Sequence, residues 1–123
     1  MTHPDRTEQL AADLFPTLPV CWAELNEVQT EDALEELADW VDWAVTRYAL
    51  DHRVIPECWD SHGALIEELS ALRTAWVAAH CVTGRPEAPL EWHANFDAAR
   101  QRLTDWASRT GCRPGGEHRP DRA

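Results

Sequence analysis

A chain of 123 residues with 44% hydrophobic content suits one domain with a modest core. Its net charge of −11 sets 22 acids against 11 basic residues, every one of them arginine. That balance disfavours phosphate binding and argues against direct nucleic-acid contact, while an encounter with a basic surface on another protein fits it. The polar stretch Met1 to Glu8 lacks the apolar segment of a signal peptide, and no apolar run is long enough for a membrane span. A soluble, cytoplasmic protein is expected, and its four cysteines then read as metal ligands or buried thiols before disulfides.

Residues 1–19 read as a mobile N-terminal arm with one short helix, Asp5 to Phe15, ended by Pro16 and Pro19. Residues 20–118 form a single helical domain, and 119–123 a C-terminal tail. Val20, Cys21, Trp22 and Leu25 make an apolar patch laid across the bundle with Trp22 as its anchor. Cys21 has no nearby Cys or His partner, so a buried thiol is expected there.

Thr30 to Tyr48 is the clearest helix, with Leu34, Leu37, Val41, Ala44, Val45 and Tyr48 recurring at three- and four-residue steps. Trp40 and Trp43 widen that stripe, and Thr30 is the expected N-cap. The outer face carries Glu31, Glu35, Glu36, Asp39 and Asp42. Of these, Glu35, Glu36, Asp39 and Asp42 form a candidate partner-binding strip, although a solvated helix face is the commoner meaning of such a run.

Ala49 to Pro56 reads as a connector. A short turn and then a helix follow over Glu57 to Cys81, bending near Gly63 and striped by Leu65, Leu69, Leu72, Trp76 and Ala79. Val82 to Pro89 is a Gly/Pro loop, and Leu90 to Thr110 is the last helix. Trp92, Phe96, Ala99, Leu103, Trp106 and Ala107 face inward on it, and Gly111 is a natural C-terminal stop. Most of the seven tryptophans fall on inward faces and are read as core. The class is all-α: a small bundle built on a long antiparallel hairpin.

The hairpin has a chemical consequence. Helices of similar length joined by a short loop return the end of the last one to the start of the one before. Cys112 and His118 are thereby delivered beside Cys58 and His62, a CxxxH pair meeting a CxxxxxH pair. Two thiolates and two imidazoles make a closed tetrahedral set for structural zinc. The alternative is two thiols buried for packing with the histidines at the surface. His93 is the reserve ligand, whereas His80, near a helix C-terminus, reads as structural. A Cys81–His93 nucleophile pair lacks an orienting third group. Glu67, Glu68, Asp97 and Asp105 share their helices with Arg73, Arg100 and Arg102 and read as surface ion pairs.

At Trp40-Val41-Asp42-Trp43, Ile55 to His62, Glu68 to Arg73, Trp92-His93 and Gly111-Cys112, the chain resembles small proteins of high-GC actinobacteria. That group is associated with integrative elements, plasmids and phages and is known as domains of unknown function. The resemblance implies a cytoplasmic protein of mobile-element context with no established activity, and its motif positions coincide with Cys58, His62 and Cys112. The expected role is a non-enzymatic, zinc-stabilised accessory protein that binds another, unidentified protein. An acidic inhibitory module mimicking nucleic acid in a basic groove is the first alternative. A metal-dependent hydrolase is the second.

Overall fold

The computed structural model describes residues 18–113 and 118–121; the predicted helix at Asp5 to Phe15 lies outside them. The described residues contain three α-helices and no strand: α1 (Glu27–Arg47), α2 (Gly63–His80) and α3 (Ala88–Thr110). Two short 3₁₀ turns, Trp22–Glu24 and Trp59–Ser61, precede α1 and α2.

α1 starts three residues before the expected Thr30. Asn26 caps it instead, accepting from the Gln29 backbone N–H at 2.8 Å, while the Gln29 side chain accepts from the Asn26 N–H at 3.0 Å. This reciprocal box satisfies two helix-end donors where a Thr30 cap satisfies one. The helix ends in a Schellman turn: the Leu50 N–H donates to Val45 O at 3.0 Å and the Ala49 N–H to Thr46 O at 3.4 Å. The turn demands a left-handed residue, and Ala49 supplies it at φ 52° where glycine is usual.

The α1–α2 connector does more than join helices. Leu50, Val54, Ile55 and Trp59 are buried in the same core as Leu37, Val41, Leu65, Leu69 and Leu103, so the link is clamped by apolar contact. α2 and α3 form the hairpin. Glu68 early in α2 takes the Arg102 guanidinium late in α3 at 2.6 Å, which fixes the antiparallel sense. Gly84 closes the loop between them, where a Cβ would approach the carbonyl oxygens of Ala79 and Cys81 to 3.0 Å.

Aromatic side chains seal the loop end. Trp92 is buried and donates its indole N–H to Leu72 O at 3.0 Å; its ring stacks on Phe96, with centroids 4.9 Å apart. Trp40 of α1 meets both Trp76 and Trp92, at 6.3 and 6.4 Å, so α1 lies over the seam of the hairpin.

Three burial expectations change. Cys21 is exposed, because the turn at Trp22–Glu24 directs Trp22, not its neighbour, onto the core. Trp43 and Trp106 keep 42% and 38% of their surface exposed, since each sits at the edge of its helix's apolar stripe. Leu103 and Ala107 hold the centre of that stripe on α3.

Candidate metal centre

The open end of the hairpin is where the four predicted ligands meet. Cys58 stands just before the Trp59–Ser61 turn, and His62, in extended conformation, is the residue on which α2 begins. The 3₁₀ turn between Cys58 and His62 brings the two together. At the other side, Gly111 ends α3 in the left-handed conformation at φ 71° and turns Cys112 back towards α2. The positive φ favours glycine here, and a Cβ would also press within 3.1 Å of the exposed Arg119 side chain.

The ligand atoms of Cys58, His62, Cys112 and His118 all lie within 4.8 Å of one another. His62 Nε2 is 3.4 Å from Cys58 Sγ and 3.6 Å from Cys112 Sγ, and His118 Nδ1 is 3.6 Å from Cys112 Sγ. Metal bonds of about 2.3 Å to sulfur and 2.0–2.1 Å to nitrogen, set tetrahedrally, place neighbouring S and N ligands about 3.5 Å apart. The observed spacings match that figure, so this cluster can hold a metal ion. His62 is buried, Cys58 and Cys112 are half-buried and His118 is exposed.

A second layer orients the first. Asp121 Oδ1 accepts from His62 Nδ1 at 2.5 Å, which leaves Nε2 to face the thiols. A carboxylate behind a ligating imidazole holds its tautomer and raises its basicity. Asp121 Oδ2 also accepts from the Gly63 N–H at 3.2 Å, placing a negative charge at the N-terminus of α2, where the His62 side chain provides no cap. The Arg119 backbone N–H donates to Cys112 Sγ at 3.1 Å.

These contacts polarise the cluster. The Arg119 N–H is the main cause that pulls the Cys112 thiol down to about 6, against burial and with help from Cys58 and Thr110. Burial, reinforced by Cys112 alongside, pushes the Cys58 thiol up to about 11. Burial also opposes charge on His62, but its bonds to Asp121 and Cys112 outweigh this and raise its pKa. The His62 bond, followed by the Gly63 N–H, holds the Asp121 carboxyl below its ordinary value. Cys112 thus gives up its proton readily while Cys58 keeps one, which a metal ion would displace.

His93, the reserve ligand, stays away from the cluster, as do His80 and Cys81. His80 Nδ1 bonds Trp76 O at 2.8 Å and its ring lies 4.4 Å from the Trp76 ring. His93 Nε2 faces the Tyr48 hydroxyl at 3.4 Å. Cys81 bonds Ala78 O and the Thr83 hydroxyl, not His93. Of the surface acids, Glu68 pairs with Arg102 across the hairpin and Glu36 with Arg73 at 4.0 Å.

Asp121 and the Arg119 amide are site groups that a tail at 119–123 conceals. Their signal was indirect: a ligand histidine needs an acceptor behind it, and a helix starting at Gly63 without a side-chain cap needs an anion. Glu35, Glu36, Asp39 and Asp42 are all exposed on α1, and none of them is among the four clustered ligands. No described helix is long and apolar enough to cross a membrane. No protein-family model matches the chain, and neither does a curated protein or a solved structure.

Proposed function

We propose that this chain is a non-enzymatic accessory protein whose helical body is held closed by a structural zinc ion and which acts by binding another protein. The four-ligand set Cys58, His62, Cys112 and His118, with all ligand atoms within 4.8 Å of one another and three sulfur–nitrogen pairs at 3.4, 3.6 and 3.6 Å, carries the reading. Two thiolates with two imidazoles suit zinc, and four protein ligands fill its coordination shell. A hydrolytic metal site keeps a position open for water, which this set does not favour. Ligand thiols fit a reducing cytoplasm, and the mobile-element context belongs to the same proposal.

Elemental analysis of the purified chain should find one zinc per molecule, and a pull-down from the native host should recover a partner only with zinc-loaded protein. A metal-free chain whose melting ignores chelators would end the zinc reading. Equal capture by Cys112→Ser would separate partner binding from the metal.

The acidic strip supports a second reading, an inhibitory module seated in a basic groove. Among the described residues Glu35, Asp39 and Asp42 have no ion-pair partner, so three of its four charges are unneutralised. Binding to a basic partner should then weaken with salt and with neutralisation of Glu35, Glu36, Asp39 and Asp42. Binding indifferent to both would reject it.

A further inference from the structure

A cavity of about 500 Å³ lies beside the metal centre, between the first turn of α2 and the last turns of α3. Leu65, Trp106, Arg109, Gly111, Arg119 and Asp121 are on its wall. That size falls among small-molecule sites. In a chain of net charge −11, two arginines line this cavity, and among the described residues neither has a carboxylate partner. The acid on the wall, Asp121, is already engaged through both oxygens, by His62 and by the Gly63 N–H.

The shape is as specific as the charge. The Arg109 guanidinium lies 4.7 Å from the centroid of the Trp106 ring, which keeps 38% of its surface exposed. The Arg119 side chain runs across Gly111, its terminal nitrogen 3.4 Å from where a Cβ would stand. The dipole of α3 explains a cation near its C-terminus. It does not explain a second arginine, Arg119 from beyond the helix, on the wall of the same cavity.

We propose that this cavity binds an oxyanion carried on a flat apolar ring, with the anion taken by Arg109 and Arg119 and the ring laid against Trp106. Guanidinium groups recognise carboxylate and phosphate through paired N–H donors, and the part of the indole that Arg109 leaves exposed gives the ring a surface to pack against. The inference leans on the metal reading at one point: a bound dication neutralises the Cys58 and Cys112 thiolates, so the guanidiniums set the local potential.

The test uses the full chain with its zinc content measured first. Phenyl phosphate, benzoate and inorganic phosphate are titrated separately while the tryptophan indole N–H resonances are followed, with Trp106→Phe identifying the Trp106 signal. One aromatic anion should shift that signal saturably and bind at least about tenfold tighter than inorganic phosphate. The tighter of the two aromatic probes identifies the oxyanion. Arg109→Gln, which removes no metal ligand, should keep its zinc and weaken binding at least about tenfold. A Trp106 signal that neither aromatic probe moves, or that moves equally in Arg109→Gln, overturns the inference. A chain without zinc would overturn the metal reading instead, and an Arg109-dependent shift in that chain would still uphold this one.

Discussion

At the loop end of the α2–α3 hairpin Trp40, Trp43, Trp76 and Trp92 cluster in tilted and edge-on contacts over the seam; at the open end Cys58, His62, Cys112 and His118 face one another across it. The covalent loop already limits how far the first end can part, so apolar burial and one indole hydrogen bond complete it. The second end has no such tether, and the chain leaves α3 there as a segment rich in Gly, Pro and Arg with little to bury. Directional bonds to a shared metal would hold together there what apolar area does not. The comparison teaches that a small bundle can close its two ends by unlike chemistry, and that the ends should then fail under different insults.

Metal removal is the largest expected effect. Zinc at about a thousandfold above its Kd contributes about 4 kcal/mol, so a chelator should lower the melting temperature by about 15 °C in a domain of this size. Cys112→Ser should melt like the chelated protein and ignore further chelator. Acid should act in the same direction, because thiolates and imidazoles take up protons as the metal leaves; zinc-dependent melting should fall below about pH 6. A chelator effect equal in the wild type and in Cys112→Ser would dissolve the distinction between the two ends.

Trp92→Ala strikes the other end. Deleting a buried indole costs about 3–5 kcal/mol in chemical denaturation, yet zinc stoichiometry should stay at one per folded chain. Loss of zinc in this variant while it remains folded would mean that the ends are coupled. Asp121→Asn is smaller and local: losing the carboxylate behind His62 should weaken zinc about 10- to 100-fold in a competition titration, with the helical content unchanged.

Two backbone changes should have opposite signs. Gly111→Ala forces a Cβ into the left-handed region and against Arg119, costing about 1–2 kcal/mol and weakening metal binding with it. Ala49→Gly relieves the same strain at the end of α1, and after the added unfolded-state entropy should stabilise by about 0.5 kcal/mol. Thermal melts of the two variants, with and without chelator, check both.

Much of this was legible in the order of residues. The three- and four-residue recurrence of Leu, Val, Ala and Trp marks α1, α2 and α3, because an amphipathic helix must bury one stripe. A short Gly/Pro loop between two long helices implies the hairpin, and the hairpin implies that Cys112 and His118 return to Cys58 and His62. Those are consequences of periodicity and chain length, which are local. The start of α1 differs because Asn26 and Gln29, at capping-box spacing, outcompete Thr30 by satisfying two backbone donors at once.

What required the tertiary structure is everything set by contacts between distant residues. That Asp121 stands behind His62, that the Arg119 amide reaches Cys112, and that Trp106 and Trp43 stay partly outside depend on how the chain turns at Gly111 and how α1 crosses the hairpin. No spacing rule records them, because a carboxylate 59 residues from its histidine leaves no period in the sequence. The residues themselves determined which helices form and which four side chains are able to share a metal. Only folding decided their mutual distances, their protonation and the cavity beside them, since charge and hydrogen bonding act through space and not along the chain.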